Sequence, residues 1–497
     1  MEVRNFCFRI WLSTLMLCAA MGVKGEEAKL YQEPYRPQYH FTPVSRWIGD
    51  PCGAFKFNNK YMVYSWGGVE TKDLVYWTEL NDHAITGVPK GIATFTGSVV
   101  VDKENVAGYG KNAMIAAFTS YDEQTKKQSQ SIAFSRDNGV TYQYYDLNPI
   151  IDIWSTEFRD PTIIPDPTTG GWVMLVAKAL EKKVAFYGSK DLKHWEWLSD
   201  FGPLGDSEKS WECPDMFQLP VEGSDQKKWV MVVSINWARE QYFIGDFDGT
   251  KFIPDTTIQY PQYVDDGLDY YASRVFQDFD DPKNDDVYTI GWVNTWDYAT
   301  IAPSEWGKGI WSLPRKLSLY KSADGLRLRQ TPAPALEKLR GKKSSRSMRV
   351  KAGTTQLSDI SKMGNTYELH LSLKDYGRDV FGINFCEGSG RKVTLTYDNS
   401  SRYLVLDRTN SADKEIPKFD RISYVKIPGD SDNLKLTAFV DKSTIEIFVN
   451  DGEKVLTMLT FAADSQTGVS VFSTLGNTGL SYEAWPLKSI WSNVKNQ

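Results

Sequence analysis

The stretch SKDLKHW, at residues 189–195, decides the fold because looser copies of it recur along the first half of the chain. Each copy ends a run of β-branched or aromatic residues and turns through Asp, Asn or Gly before another aromatic residue, as a hairpin does. The other copies are TKDLVYW at 71–77, SRDNGVTY at 135–142 and GDFDGTKF at 245–252. Their aspartates recur about every 60 residues, a period in the range of a four-stranded propeller blade with long loops.

Strand-like runs fill the intervals between these copies, and few windows show a helical period. The predicted strands lie at residues 61–66, 97–101, 113–119, 172–177, 229–235 and 287–293. Residues 30–330 have room for five such blades, and the inner strands of successive blades line one central channel. The sequence therefore predicts an all-β fold that begins with a five-bladed β-propeller.

A boundary follows the propeller, where TPAPALEKLR at 331–340 leads into a short basic run. We predict a linker at residues 331–345 and an antiparallel β-sandwich at residues 346–497, because alternating strands there are joined by turns such as Asn450-Asp451-Gly452. The predicted sandwich strands lie at residues 367–373, 392–397, 402–406, 434–440 and 444–449.

The first 25 residues have the form of a secretion signal, since Arg4 and Arg9 precede an apolar run at 10–23. They predict an exported protein, periplasmic or extracellular. A lipid anchor at Cys18 stays open, because the bulky Leu17 stands where a lipoprotein cleavage box usually has a small residue. No later segment has about 18 successive apolar residues, so no transmembrane span is predicted after signal removal.

The composition, 41% hydrophobic and 24% charged, predicts a globular protein with large cores. A net charge of -6 disfavours nucleic acid or an anionic membrane as partner and favours a neutral one.

Outside the signal the cysteines are Cys52, Cys213 and Cys386, too few for a disulfide scaffold. A Cys52–Cys213 bridge is conceivable, but buried free thiols are favoured. The four histidines have no paired spacing, so neither a histidine metal centre nor a Ser/His/Asp triad is predicted, and no metal or organic cofactor is implied.

Three short acidic motifs fall in phase with the predicted blades. They are WIGDPCG at 47–53, FRDP at 158–161 and WECP at 211–214, and they carry Asp50, Asp160 and Glu212. Equivalent positions on different blades converge on the channel. Two carboxylates flanking a glycosidic bond can supply a nucleophile and a general acid, while a third holds sugar hydroxyls. Any one of them alone could be a turn or surface residue, but three in phase favour a catalytic site.

In this order the motifs resemble those of glycoside hydrolase family 32, the invertase, inulinase and levanase family. Further similar segments are FTGSVVVD at 95–102, DYYAS at 269–273, GWVNTWDYA at 291–299 and WSLPRKL at 311–317. The resemblance implies a retaining β-fructosidase that cleaves levan, inulin or sucrose-type substrates through a covalent fructosyl-enzyme, on a five-bladed propeller followed by a sandwich. It also implies that Asp50 is the nucleophile, Glu212 the general acid and later base, and Asp160 the stabiliser of the fructosyl transition state.

Five further residues are predicted to bind substrate. Arg159 is expected to fix the adjacent carboxylate and a sugar hydroxyl, with an ion pair inside a blade as the alternative. Thr96 keeps the hydroxyl of a family Ser. Trp47, Phe95 and Trp296 are interpreted as sugar-stacking residues, with propeller core as an equal alternative.

Three positions depart from the family pattern. Gly49 and Cys52 stand where the family usually has Asn, and Trp66 stands near its Gln, so three polar contacts to fructose are expected to be missing. Preference among levan, inulin and sucrose therefore stays open. Exo or endo cleavage also stays open, because loop conformations set the depth of the pocket. Two rivals remain, a fructan-binding protein without turnover and an arabinan or xylan hydrolase like those of family 43. Intact Asp50 and Glu212 disfavour the first, and the ECP motif and C-terminal sandwich disfavour the second.

Overall fold

The computed structural model describes residues 30–166, 168–375, 377–428 and 433–493, and almost all of the regular secondary structure in them is β-strand. The all-β prediction is confirmed. The predicted signal at 1–25, including Cys18 as a lipid site, lies outside the described residues. Within the described ranges no helix has the length and apolarity to cross a bilayer.

Residues 52–332 form five separate, mainly antiparallel sheets. The first sheet contains β1 (Cys52–Phe57), β2 (Lys60–Tyr64), β3 (Gly68–Thr71) and β4 (Trp77–Glu79). The second contains β5 (Ile85–Thr86), β6 (Ile92–Asp102), β7 (Ala113–Asp122), β8 (Gln128–Ser135), β9 (Tyr142–Tyr144) and β10 (Ile151–Ser155). The third contains β11 (Phe158–Pro165), β12 (Trp172–Lys178), β13 (Lys183–Ser189) and β14 (Glu196–Phe201).

The fourth sheet contains β15 (Trp211–Pro220), β16 (Lys227–Ile235), β17 (Arg239–Phe247), β18 (Phe252–Pro254) and β19 (Gln262–Tyr263). The fifth contains β20 (Tyr271–Val275), β22 (Val287–Trp292), β23 (Arg315–Ser322) and β24 (Gly325–Pro332). The intervening strand β21 (Gln277–Asp278) belongs to the first sheet, where it pairs with β1. Each of the six strands predicted in this half coincides with an observed strand, so those predictions are confirmed.

Five strands, one from each sheet, close a ring. β1 packs beside β6, β6 beside β11, β11 beside β15 and β15 beside β20, which returns to β1. Strands near this ring are apolar on both faces because neighbouring sheets cover them, and Ile115 to Phe118 of β7 are all fully buried. The outer strand β14 instead exposes Glu196 and Trp197. The ring axis is therefore the place where side chains from all five sheets can meet.

The repeated aspartates accept backbone N–H groups in turns of four of the sheets. The Oδ1 atoms of Asp73, Asp191 and Asp248 each accept the backbone N–H groups two and three residues ahead. Asp137 accepts the N–H of Thr141. These turns join the third strand of the ladder to the fourth, as the carboxylate of a turn Asp can do by mimicking backbone. The interpretation of the repeat as a strand-to-strand turn is confirmed.

The remaining chain forms two six-stranded sheets. Their elements are β25 (Ser344–Arg349), β26 (Gly353–Gln356), helix α1 (Ser358–Ser361), β27 (Tyr367–Lys374), β28 (Val380–Gly388), β29 (Arg391–Asp398), β30 (Tyr403–Asp407), β31 (Ile422–Lys426), β32 (Leu434–Val440), β33 (Thr444–Val449), β34 (Lys454–Leu459), β35 (Gly468–Ser473) and β36 (Gly479–Pro486). Alternate residues of β29, Val393, Leu395 and Tyr397, are buried, as expected where two sheets pack face to face. The five strands predicted here are also confirmed.

Short 3₁₀ helices complete the described elements, at Ala179–Glu181, Ala299–Ile301, Pro334–Leu339 and Ile490–Asn493. The predicted linker at 331–345 starts inside β24, contains the helix Pro334–Leu339 and ends inside β25.

Buried ionic contacts tie the two halves together. Arg315 of β23 bonds Glu446 of β33 at 2.7 Å and Asp265 at 3.0 Å. Arg408 of the second half bonds Asp269. Because Asp269 lies two residues before β20, this contact anchors the start of a strand of the ring.

Candidate active site

The three motif carboxylates lie at the same end of the ring. Asp50 lies two residues before β1, Asp160 is the third residue of β11, and Glu212 is the second residue of β15. All three strands therefore begin at one mouth of the channel, and the structure brings together the residues that the sequence predicted.

Each ring strand breaks register with its neighbour beside this mouth. The shifts fall between Cys52 and Phe55, Thr94 and Gly97, Arg159 and Thr162, Glu212 and Asp215, and Tyr271 and Arg274. Asp160, Cys213 and Ala272 have positive φ values of 64°, 47° and 53°. Such backbone costs on the order of 1–3 kcal/mol per residue and tends to occur at functional sites. Here the bulges turn side chains into the channel mouth.

Asp50 is held by one hydroxyl and one thiol. Thr96 Oγ1 donates to its Oδ2 at 2.6 Å, and Cys213 Sγ lies 3.5 Å from the same oxygen. Its Oδ1 is shielded from solvent and has no hydrogen-bond partner in the described part of the protein. Burial raises the pKa of Asp50, and the charge of Glu212 acts the same way, while Thr96, Cys213 and Arg274 oppose the rise.

Asp160 is deeply buried against the same cysteine. Its Oδ2 accepts the backbone N–H of Cys213 at 3.0 Å and lies 3.5 Å from the Cys213 sulfur. Burial raises the pKa of Asp160 to about 7; Arg159 opposes the rise, and the charges of Glu212 and Asp50 add to it. One thiol therefore joins two of the carboxylates, and the third belongs to the residue before it in the chain.

Glu212 is fixed by a guanidinium and a phenol. Arg159 donates to Oε1 from Nε at 3.0 Å and from Nη2 at 2.6 Å, and Tyr271 donates to Oε2. Arg159 is itself oriented by Gln128 Oε1 at 3.1 Å and Glu157 Oε2 at 2.8 Å. Both carboxylate oxygens thus have fixed directions.

Arg159 contacts a second carboxylate besides the predicted one. Its guanidinium approaches Asp160 at 4.0 Å, as in a long ion pair, but it donates two hydrogen bonds to Glu212. The bulge and the positive φ at Asp160 separate the directions of the two adjacent side chains, and Arg159 turns toward β15. Its contact with a sugar hydroxyl stays a prediction.

The predicted aromatic residues pack in two separate groups. Trp47 packs on Trp292 and Trp296, with ring centroids 6.0 and 6.2 Å apart, and 43% of Trp296 is exposed. Phe95 stacks on Tyr121 at 4.7 Å. Thr96 is bonded to a carboxylate, as described above. Whether the aromatic rings contact sugar stays a prediction.

The three departures from the family pattern have structural consequences. A Cβ at Gly49 would lie 3.2 Å from Trp47 Nε1, so glycine leaves room for that indole. Cys52 is a buried free thiol that lies 3.4 Å from the backbone oxygen of Asp50. Trp66 is buried and donates from Nε1 to the Phe95 carbonyl at 2.7 Å. Trp66 therefore supports β6 from the core. Cys52, Cys213 and Cys386 are all free, which confirms the favoured interpretation of the cysteines.

Two site residues were missed from the sequence. Tyr271, which bonds Glu212, lies in the quoted DYYAS motif, about one repeat period after Glu212, and that phase was the available signal. Arg274 lies buried beneath the carboxylates and donates to Thr162 Oγ1 and the Pro214 carbonyl. Its Nε and Nη2 have no hydrogen-bond partner among the described residues. In the same ranges no group of His, Cys, Asp and Glu is arranged to hold a metal ion.

Comparison with known proteins gives consistent matches along the chain. The glycosyl hydrolases family 32 N-terminal domain matches residues 40–332, and the family 32 C-terminal domain matches residues 335–486. A levanase of Bacillus subtilis is 33% identical over 97% of this chain and 74% of its own length. An extracellular exo-inulinase of Aspergillus ficuum is 30% identical over 94% of this chain and 96% of its own. The crystal structure of an exo-inulinase from Aspergillus awamori superposes with a TM-score of 0.85 at 29% identity, covering 93% of this chain and 100% of the other.

Proposed function

The chain belongs to glycosyl hydrolase family 32 and is a β-fructofuranosidase-type glycosidase, and we propose that it cleaves fructose units from fructans or sucrose through a covalent fructosyl-enzyme. The observation that carries the mechanism is the convergence on Cys213, whose sulfur contacts Asp50 and Asp160 and whose chain neighbour is Glu212. We also propose that the five sheets are the blades of one propeller at residues 30–330, followed by a sandwich at 346–497.

Asp50 is the nucleophile in this proposal. Thr96 holds Oδ2, so the carboxylate presents a fixed edge to the anomeric carbon of a bound fructosyl unit. A bond forms between an Asp50 oxygen and that carbon while the bond to the leaving oxygen breaks. The positive charge of Arg274 beneath the site favours the ionised form that attacks.

Glu212 is the acid and then the base. It gives its proton to the leaving oxygen in the first step and takes one from water in the second. Arg159 and Tyr271 fix the direction of its carboxyl group for both transfers. A retaining reaction of this kind requires roughly 5–5.5 Å between the two carboxyl groups.

Asp160 stabilises the positive charge that develops on the fructosyl ring. The Cys213 N–H fixes one of its oxygens, so the charge is preorganised and needs little rearrangement during the reaction.

The test of this function compares wild type, Asp50→Ala and Glu212→Ala on levan, inulin, sucrose and arabinan, with released sugars identified by chromatography. Wild type is expected to release fructose from at least one fructoside and nothing from arabinan. Each variant should lose about 10²–10⁴ in turnover. Asp248→Asn is the matched control, because that carboxylate closes an exposed turn far from the mouth. Binding of fructan without any release by wild type would support a binding protein instead.

A second experiment addresses the covalent step. Given a fructoside whose leaving group departs without a proton, such as a fructosyl fluoride, Glu212→Ala should accumulate an enzyme that carries one fructosyl residue on the peptide containing Asp50, because the first step then needs no acid while the base for the second step is gone. Mass spectrometry after an acid quench detects that adduct, and Asp50→Ala serves as the blank. Product of inverted configuration from the wild-type enzyme would contradict the proposed mechanism.

The proposed location of this protein rests on one of the same relatives. The exo-inulinase that matches this chain is named as extracellular, and we propose that this protein is exported, with residues 1–25 as its signal. Mass spectrometry of the mature N-terminus distinguishes a protein released to the periplasm or medium from one that carries a lipid anchor at Cys18.

A further inference from the structure

Trp154 is the most exposed large apolar side chain of the described residues, at 81%. It stands on β10, an extra strand that pairs with β8 outside the main path of the second sheet. Its φ of 59° is unfavourable for a residue other than glycine. A positive φ costs energy and tends to be kept at functional sites, so a largely exposed indole held on such a backbone is a candidate for contact with a ligand.

Neighbouring side chains hold this indole in place. Asp152 Oδ1 accepts the Trp154 backbone N–H at 2.8 Å, and Asp152 Oδ2 accepts Lys127 Nζ at 3.0 Å. The Lys127 ammonium lies 3.6 Å from the ring centroid, as in a cation–π contact. One face of the indole is therefore covered by a fixed cation, and the rest is open to solvent.

A short path of contacts connects Trp154 to Glu212. The next residue, Ser155, pairs across the ladder with Gln128 and accepts the Glu157 N–H at 3.0 Å. Gln128 and Glu157 both orient Arg159, which holds Glu212. Trp154 thus stands on the side of the mouth from which Arg159 reaches the proposed proton donor, where the leaving part of the substrate departs.

We propose that Trp154 forms a binding subsite for the sugar units of a fructan on the leaving-group side of the scissile bond. The inference rests on the proposed function. A fructosyl ring stacks its apolar face on the open side of the indole, and the Lys127 ammonium and Asp152 keep the indole upright. Trp154 thereby favours oligomeric and polymeric fructans over sucrose, which has a single sugar beyond the cleaved bond and does not reach it.

The test measures kcat/KM for wild type, Trp154→Ala and Trp154→Phe on sucrose, on fructo-oligosaccharides of increasing length and on levan and inulin. Trp154→Ala should lose about five- to tenfold on the longer substrates, the range expected for one aromatic contact, and less than about twofold on sucrose. Trp154→Phe should recover most of the loss. Trp197→Ala is the matched control, since Trp197 is 59% exposed on the outer strand β14 of the third sheet.

A binding measurement separates this inference from the proposed function. In an Asp50→Ala background, affinity electrophoresis in gels containing levan or inulin should show retardation that Trp154→Ala weakens and Trp197→Ala does not. Equal losses on sucrose and polymer, or unchanged polymer turnover and retardation, overturn the subsite. A wild-type protein that releases no sugar from any fructoside overturns the proposed function and the leaving-group position of the subsite with it, and the gel result then still shows whether Trp154 contacts fructan.

Discussion

Thr96 donates a 2.6 Å hydrogen bond to Oδ2 of Asp50, across the interface between the first two sheets. Thr96 lies where β6 breaks register with β7, between Thr94 and Gly97. The bulge therefore places a hydroxyl from one sheet on a carboxylate from another, and that hydroxyl counteracts the effect of burial on the Asp50 pKa.

Replacing Thr96 by Val should lower kcat by about 10- to 100-fold, because a hydrogen bond to a charged group contributes about 1.5–3 kcal/mol. Thr96→Ser should stay within a few-fold of wild type, since the donor is kept. Steady-state kinetics on sucrose and levan measures both variants. A loss in the Ser variant with wild-type activity in the Val variant would show that the methyl group, and not the hydroxyl, matters at this position.

Asp160→Asn should separate stability from activity. The folded protein holds the Asp160 pKa near 7, above its ordinary value of 3.8, so the folded state binds the proton more tightly. The stabilisation that this tighter proton binding gives the folded state is fully present below pH 3.8 and is lost as pH rises through 7. The Asn variant should therefore gain thermal stability over wild type at pH 8, gain little at pH 4, and lose about 10²–10³ in kcat.

Differential scanning fluorimetry at several pH values measures this difference, with Asp248→Asn as the control. Asp248 lies in an exposed turn and its pKa is lowered, chiefly by its hydrogen bond to Thr250, so its substitution should not stabilise the protein as pH rises. An Asp160→Asn stability gain that is the same at pH 4 and pH 8 would contradict the raised pKa.

Arg274→Met should move the acid limb of the kcat/KM profile. Asp50 attacks only when ionised, and the charge of Arg274 lowers its pKa. Removal of that charge raises the Asp50 pKa further, so the acid limb should shift to higher pH. Arg274→Lys keeps the charge and should shift the limb less. Two variants that fold, as judged by circular dichroism, but share the wild-type acid limb would exclude Arg274 as an influence on Asp50.

The fold was accessible from the sequence because its signals are local. Alternating apolar residues and the turn aspartates, such as Asp191, each act within a few residues of chain, and their period placed Asp50, Asp160 and Glu212 on one channel. The directions in which the side chains point could not be predicted from the sequence. Arg159 bonds Glu212 because a bulge and a positive φ turn it there.

Contacts between sheets were equally hidden in the sequence. Trp66 supports the Phe95 carbonyl from the core, and Arg274 reaches Thr162 from another sheet. Both contacts exist only once the ring has closed, and no periodicity along one strand reports them.

His40 should make the junction between the two halves sensitive to alkaline pH. Its ring bonds Asp441 at 3.0 Å and Glu446 at 3.1 Å, all fully buried. Burial alone lowers the pKa of His40, but these hydrogen bonds outweigh it and raise the pKa from 6.5 to about 9. The stabilisation is therefore complete below pH 6.5 and is lost as pH rises through 9.

His40→Gln should lower the melting temperature at pH 6, and the difference from wild type should shrink by pH 10. Thermal melts from pH 6 to 10 measure this difference in melting temperature. His194→Gln is the control, because the His194 ring is exposed in the turn that precedes β14. A His40→Gln deficit that does not change with pH would mean that its ring contributes packing and not charge.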